Sequence, residues 1–208
     1  METVLIIVLA VLVLAAVAAV VSYNRFVGQR NTVAESWRQV DVELQRRHDL
    51  VPNLVETVTA SARFEQATLQ QVVRARADAI AASRGGALAA RGEAEQQLSG
   101  ALRGFFAIAE GYPELRSSQN FLHLQEQLAE TEDRIAAGRR YYNATVRAYN
   151  TRIGKLPSNL VAALGHFTPA EYFTVDDPDV RAAPPVAFDA ATTPIPAQQP
   201  PTPLPPSS

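Results

Sequence analysis

The chain has 208 residues, of which 47% are apolar, with 14 prolines, no cysteine and a formal charge of −2 from 19 basic and 21 acidic residues. The missing cysteines exclude a disulfide framework, a thiol nucleophile and a thiolate metal site. A charge this close to zero argues against a dedicated nucleic-acid binder, which needs a basic surface to neutralise phosphates, so we expect no nucleic-acid partner. These averages hide a segregation, because apolar residues crowd near the N-terminus and prolines near the C-terminus.

The N-terminal segment predicts a membrane anchor. Every residue from 4 to 21 is valine, leucine, isoleucine or alanine. Thr3 and Ser22 extend the uncharged stretch to about 30 Å of helix, which matches the hydrocarbon thickness of a bilayer. A cleavable signal peptide would have a positive n-region and a shorter apolar stretch, so an uncleaved anchor is favoured. We assign residues 1–23 to the anchor and expect residues 4–21 to contact the lipid bilayer.

The charges that flank this segment predict its orientation. No basic residue precedes it, whereas Arg25, Arg30 and Arg38 follow it. By the positive-inside rule, the short N-terminus lies outside and the rest of the chain lies on the cytoplasmic side of the membrane.

Residues 24–176 predict an all-α domain, because they contain few helix breakers and no clear strand alternation. Apolar residues recur there at intervals of three, four and seven. In the first helical segment these are Val33, Trp37, Val40, Leu44, Val51, Leu54 and Val58, and in the last long one they are Phe121, Leu128, Ile135, Tyr142 and Tyr149. Such stripes pack most simply as an elongated antiparallel bundle of long helices. A short apolar segment from Leu160 to Phe173 is expected to fold back against one end of the bundle.

The first of these helices has two possible forms. No strong breaker separates Val21 from Trp37, so this helix can be continuous with the anchor. The apolar stripe keeps its phase through Pro52, which fits one helix with a kink. A break near Leu50, followed by a new helix with Pro52 in its first turn, fits the same pattern. Periodicity alone does not choose between them.

The C-terminal residues 177–208 predict a disordered, Pro-rich tail. Ten of the 14 prolines lie at or after Pro178, and the segment has too little apolar surface to offset the entropy of ordering. A spacer without a specific partner is favoured over a docking peptide at residues 200–206.

The sequence contains no pattern typical of a catalytic, cofactor or metal site. His123 and Glu126 resemble half of a di-iron helix motif, but no second such pair accompanies them. Neither a serine-elbow motif nor a Gly-rich phosphate loop is present. We therefore predict a protein that is not an enzyme and that binds no metal or cofactor.

The run from position 46 to 53 is chemically the most unusual part of the chain. At 100° per residue from Trp37, Arg47 projects near the apolar face, whereas Arg46 and Asp49 point away from it. A guanidinium on the core side needs carboxylate or carbonyl partners. Arginines that keep their heads in water are favoured over a polar cluster that fixes helix register or binds a partner. The candidate residues for such a cluster are Arg46, Arg47, Asp49, Asn53 and Arg139.

Ordered motifs along the chain resemble those of the LemA family of bacterial membrane proteins. They are Tyr23-Asn24, the runs 37–44 and 46–55, Ala75-Arg76, the run 110–115, Thr131-Glu132 with Ile135, the run 139–143, Tyr149-Asn150 and the run 185–188. The resemblance implies a single-pass N-terminal anchor and an antiparallel bundle of long helices, and it brings no established enzymatic activity. Relatives are associated with bacterial membrane organisation, including magnetosome formation, and some are encoded near a membrane metalloprotease.

The residues and the resemblance together lead to a main hypothesis and two others. The main one is a non-enzymatic helical scaffold, anchored in the bacterial cell membrane, that self-associates or docks an unidentified protein partner. The alternative is an adaptor for membrane-protein quality control that works with a membrane protease and uses the tail as a tether. A third is an enzyme with its substrate near Arg47 and Asp49.

Overall fold

The described part of the chain, which comprises residues 1–59, 65–85 and 87–174 of the computed structural model, contains six α-helices. They are α1 (Glu2–Thr59), α2 (Gln66–Ser83), α3 (Leu88–Ala109), α4 (Pro113–Arg116), α5 (Gln119–Gly154) and α6 (Ser158–Leu164). No strand occurs among these residues, so the all-α class and the long N-terminal apolar helix followed by further helices are confirmed. Contacts group Met1–Asp176 into one unit, and the tail predicted at 177–208 lies outside the described residues.

α1 is one continuous helix that joins the apolar segment to the bundle. It includes Pro52 without interruption, so the structure adopts the continuous alternative. Its first part is long and apolar enough to cross a membrane, and residues 4–21 are all exposed. Because a continuous apolar surface of this size is unfavourable in water, residues 4–21 are the candidate membrane span.

α5 packs antiparallel along the second part of α1. Phe121 and Leu128, in the first half of α5, share a core cluster with Val58, whereas Tyr149 near its end packs with Phe26. α2 and α3 form a second helix pair, which joins the core at the end of α1 that is far from the apolar segment. The bundle therefore has four long helices at that far end and mainly α1 with α5 nearer the apolar segment.

The residues after α6 run back along α5 as an irregular return segment, residues 167–174. Phe173 is buried there against Trp37, with ring centroids 5.1 Å apart. A Cβ atom on Gly92 of α3 would lie 2.6 Å from the carbonyl oxygen of Thr174, so α3 approaches the segment this closely only because position 92 has no side chain. The return segment thus covers the α1–α5 pair where α2 does not reach.

Two asparagines of α5 hold the return segment through its backbone. Asn143 Nδ2 donates to the carbonyl oxygen of Phe173, and the Phe173 N–H donates to Asn143 Oδ1, both over 3.0 Å. Asn150, two helical turns further on, makes the same pair of bonds with Ala170, both over 2.9 Å. A side-chain amide can pair in this way because it carries a donor and an acceptor side by side. The pairs satisfy backbone groups that lie outside any helix.

Replacing Asn143 and Asn150 together by aspartate is expected to release the return segment. Each new carboxylate oxygen would face a backbone carbonyl oxygen to which an amide now donates, and two partly buried bonds of about 1 kcal/mol each would be lost. Hydrogen exchange of the peptide covering residues 167–174, measured by mass spectrometry, should become about tenfold faster or more. Asn53→Asp, an exposed site on α1, is the matched control. Unchanged exchange in the double variant would contradict the clamp.

Candidate functional site: a buried ionic cluster

Arg47 occupies a core position of α1. The buried residues on this face follow one another at intervals of three and four, and they are Val40, Leu44, Arg47, Val51, Leu54 and Val58. An apolar side chain is expected at each such position, yet the Arg47 side chain is only 1% exposed. Its guanidinium therefore does not reach water and needs partners inside the bundle.

Glu95 of α3 is the most buried of those partners. Arg47 Nη2 donates to Glu95 Oε2 over 2.6 Å and to the Glu95 carbonyl oxygen over 3.2 Å. Arg47 Nη1 donates to Ser99 Oγ over 2.7 Å and to Glu132 Oε2 of α5 over 2.5 Å. Ser99 Oγ is also 2.9 Å from Glu132 Oε1. One arginine thus ties α1 to α3 and to α5, and Glu132, whose side chain is 48% exposed, is the carboxylate of the cluster that meets solvent.

His48 brings a second basic side chain to the same carboxylate. Its Nε2 lies 3.0 Å from Glu95 Oε1 and 3.3 Å from Glu95 Oε2, and both residues are buried. Burial alone raises the pKa of the Glu95 carboxyl, but the hydrogen bond from His48 and the charges of Arg47 and His48 together outweigh it and hold the pKa below its ordinary value of 4.5. Glu95 is therefore ionised at neutral pH, as the charge of Arg47 requires.

Arg76 of α2 joins this cluster through the backbone. Pro52 has no N–H, so in a continuous helix the carbonyl oxygen of His48, four residues earlier, lacks its helical donor. Arg76 Nε donates to that oxygen over 2.6 Å. A side chain of α2 thus satisfies the carbonyl that Pro52 leaves open, one residue from Arg47. All four long helices of the bundle meet at this level.

The five candidate residues from the sequence divide between the core and the surface. Arg47 lies at the centre of the cluster, whereas Arg46 is half-buried with Nη2 3.8 Å from Glu130 Oε2. Asp49 is exposed and accepts a bond from Gln45 Nε2 over 2.9 Å. The half-buried Arg139 forms no hydrogen bond or ion pair with the cluster within the described part of the chain. Asp49 and Asn53 instead belong to a shallow groove, here called the outer face of α1, which is lined by Asp41, Val42, Gln45, Arg46, Asp49, Leu50 and Asn53.

Sequence reasoning missed the other members of the cluster around Arg47. They are His48, Arg76, Glu95, Ser99 and Glu132. One of them carried a usable signal, because Glu95 continues the apolar stripe of α3 at the correct interval before Leu98 and Leu102. A carboxylate in phase with one stripe and an arginine in phase with another indicate a buried ion pair. Arg76 has no such signal, since its acceptor is a backbone carbonyl.

This arrangement is suited to fixing helix positions. Arg47, His48 and Glu95 are each 3% exposed or less, so a substrate does not reach the Glu95 carboxylate. Within the described residues, no group of three or more His, Cys, Asp or Glu has the geometry to hold a metal ion. A buried charge at a core position is tolerated only when its partners stand at the matching level of the neighbouring helices. The cluster therefore penalises any shift of α3 or α5 along α1.

The fold and the cluster define a class of protein: an all-α bundle, tied by a buried ionic cluster, on a helix that begins as a candidate membrane span. A comparison with protein families agrees with this class. Residues 36–188 match the model of the LemA family, and the chain belongs to that family.

Three curated relatives carry magnetosome names. Magnetosome proteins MamQ 1 and MamQ 2 of Paramagnetospirillum magneticum are each 31% identical over 177 residues, which cover 73% of this chain and 64% of theirs. Magnetosome protein MamQ of Magnetospirillum gryphiswaldense is 30% identical over 192 residues, which cover 79% of this chain and 71% of its own. The chain thus spans less than two thirds of the length of the P. magneticum relatives. The candidate membrane helix and these relatives fit a membrane location.

Proposed function

We propose that the chain is a membrane-anchored, non-enzymatic helical scaffold that holds a protein-binding surface at a fixed height above a bacterial membrane. The continuity of α1 carries this proposal. The same helix contains the candidate span and the core of the bundle, so the two are joined without a flexible linker. Residues 23–59 extend roughly 55 Å beyond the span at 1.5 Å per residue.

The buried cluster supports this function because a scaffold needs a fixed shape. Arg47 sets the register of α3 and α5 against α1, and Arg76 keeps α1 continuous through Pro52. By similarity to the magnetosome proteins, the proposed scaffold organises a membrane or the proteins in it. The proposed orientation has the bundle on the cytoplasmic side, since Arg25, Arg30 and Arg38 follow the span. The adaptor alternative depends on residues 177–208, which lie outside the described residues.

A single reporter on the outer face of α1 tests the proposal in whole cells. Val42 is exposed, and the chain has no other cysteine to interfere with Val42→Cys. We expect an impermeant maleimide to leave this cysteine unlabelled in sealed cells, and a permeant photoreactive maleimide to give a discrete dimer or a discrete complex with one partner. Val73→Cys, also exposed but on α2, is the matched control. The absence of any discrete crosslink from both positions would refute a scaffold.

A flexible insertion tests the role of the continuous helix. A short Gly-Ser linker between Ser22 and Tyr23 leaves the anchor and the bundle intact but removes their rigid connection. The yield of the Val42→Cys crosslink should fall several-fold. An insertion of two helical turns of alanine-rich sequence preserves helical continuity, so it should lower the yield less. Equal yields for the native chain and the Gly-Ser variant would show that continuity is not needed.

A further inference from the structure

α6 and the turn before it expose an unusual row of leucines. Leu156, Leu160 and Leu164 are 76%, 61% and 83% exposed. They are spaced four residues apart, which places Leu160 and Leu164 on one face of the helix. In the described part of the chain beyond the candidate span, Leu156 and Leu164 are the most exposed large apolar side chains. Contiguous apolar surface of this kind marks a contact site.

α6 ends in a Schellman motif, which turns the chain back toward α1. The N–H of Phe167 donates to the carbonyl oxygen of Ala162 over 2.9 Å, and the N–H of His166 donates to that of Ala163 over 3.3 Å. His166 has the positive φ of 53° that this motif requires. Phe167 is thereby directed into the core, where its ring is stacked on that of Phe26 with centroids 4.9 Å apart.

These contacts place α6 at the level where the candidate span ends. The Phe167 ring is 5.4 Å from that of Tyr23, and a Cβ atom on Gly165 would lie 3.2 Å from Tyr23 Cε2. Tyr23 follows Val21 by two residues, or about 3 Å along the helix. Its side chain leans toward the N-terminus of α1, as helical side chains do, and therefore toward the span. Leu164, next to Gly165, thus lies near the boundary of the hydrocarbon.

Four basic residues belong to the same region. The guanidinium of Arg30 lies 5.8 Å from the centre of the Phe167 ring, and that of Arg152 lies 5.7 Å from the centre of the Phe26 ring. Burial and the nearby charge of Arg25 lower the pKa of Arg152, and Lys155 follows at the end of α5. None of Arg25, Arg30, Arg152 and Lys155 forms an ion pair within residues 1–59, 65–85 and 87–174. Unpaired cations beside a span end suit the phosphates of anionic lipids.

We propose that α6 is a second membrane contact, which inserts Leu156, Leu160 and Leu164 into the leaflet from which α1 emerges. The leucines are the apolar face of an interfacial segment, and the basic residues of α1 and of the end of α5 lie beside it, where they can meet the lipid headgroups. Two contacts with one leaflet, α1 and α6, would set the tilt and the rotation of α1, which a single span leaves free. This inference rests on the membrane anchoring in the proposed function.

Spin labels on single cysteines measure the depth of α6 directly. The full chain is reconstituted at one copy per nanodisc of phosphatidylcholine and phosphatidylglycerol, with the label at Leu160→Cys or Leu164→Cys. The reference positions are Val13→Cys within the span and Val42→Cys, which is as exposed as Leu160 but roughly 29 Å beyond Tyr23 along α1. We expect the ratio of oxygen to nickel-chelate accessibility at the two α6 positions to exceed that at Val42 several-fold.

The outcomes separate this inference from the anchoring on which it rests. One outcome is that the accessibility ratio of the α6 labels equals that of the Val42 label while the Val13 label is in lipid. In that case α6 does not enter the membrane and the inference is overturned. A water-accessible Val13 label would instead refute the anchoring itself. If the α6 labels match Val42 in single-copy nanodiscs and show spin–spin broadening when two copies share a disc, the leucines bind a second copy of the chain, which also overturns the inference.

Discussion

Replacing Glu95 by glutamine is expected to lower the free energy of unfolding of the bundle by about 3 kcal/mol, because Arg47 stays buried and charged without its most buried counter-charge. The 2.6 Å bond that Arg47 Nη2 now donates to the Glu95 carboxylate would become a weaker bond to a neutral amide. Unfolding of the full chain in detergent micelles can be followed by the fluorescence of Trp37. This is the only tryptophan, and its ring packs against those of Tyr142 and Phe173.

Glu132→Gln is the matched control for this prediction. This substitution removes a carboxylate that accepts a bond from the same guanidinium. The Glu132 side chain is half exposed, so water can replace the lost carboxylate. The expected loss is therefore about 1 kcal/mol or less. Adding Arg47→Met to Glu95→Gln should restore part of the lost stability, since no buried charge then lacks a partner. Equal losses for the two glutamine variants, or a further loss on adding Arg47→Met, would contradict the assignment of Glu95 as the main counter-charge.

The same residue predicts the acid dependence of the bundle. The pKa of Glu95 is lower in the folded chain than its ordinary value of 4.5. Ionised Glu95 therefore contributes its full stabilisation above that value, and the contribution is lost as the pH falls through the folded-state pKa. The native chain should lose stability in this acid range more steeply than the Glu95→Gln chain, which has no carboxyl to titrate there.

The main architecture was predictable because it depends on local patterns. The length of the apolar run, the three-and-four spacing of the stripes and the scarcity of breakers predicted the helices and their apolar faces. The return segment was harder to predict, because its position depends on Asn143 and Asn150, which pair with backbone groups at Phe173 and Ala170. Pairing with a backbone leaves no trace in the identity of the residue that is bound.

The cluster was predictable only in part, for a related reason. The phase of α1 placed Arg47 on the core side, but the choice between water and buried partners depended on side chains about 50 and 85 residues away along the chain. The candidates Asp49 and Asn53 lie close to Arg47 in sequence and yet are exposed, because a helix turns neighbours to different faces. Proximity in sequence therefore selected residues that lie outside the cluster, whereas the matching phase of Glu95 in α3 would have selected a member of it.

Replacing Arg76 by methionine is expected to destabilise the bundle by about 2 kcal/mol, because the carbonyl oxygen of His48 loses a charged donor and has no helical one. The effect should depend on Pro52. In a Pro52→Ala chain the new N–H can donate to His48, as in any uninterrupted helix, so Arg76→Met should cost about 1 kcal/mol or less there. Unfolding in micelles, followed by Trp37 fluorescence, gives all four free energies of this double-mutant cycle.

Arg74→Met is the control, since Arg74 is an exposed arginine on the same helix and its loss should cost no more than about 0.5 kcal/mol. A difference between the two backgrounds would show that α2 supports α1 at the residue where proline interrupts its hydrogen bonds. Additive effects of Arg76→Met and Pro52→Ala would show instead that Arg76 acts through packing alone. The bond from Arg76 to the His48 carbonyl oxygen would then contribute no stability. The continuity of α1 through Pro52, which joins the span to the bundle, would need another cause.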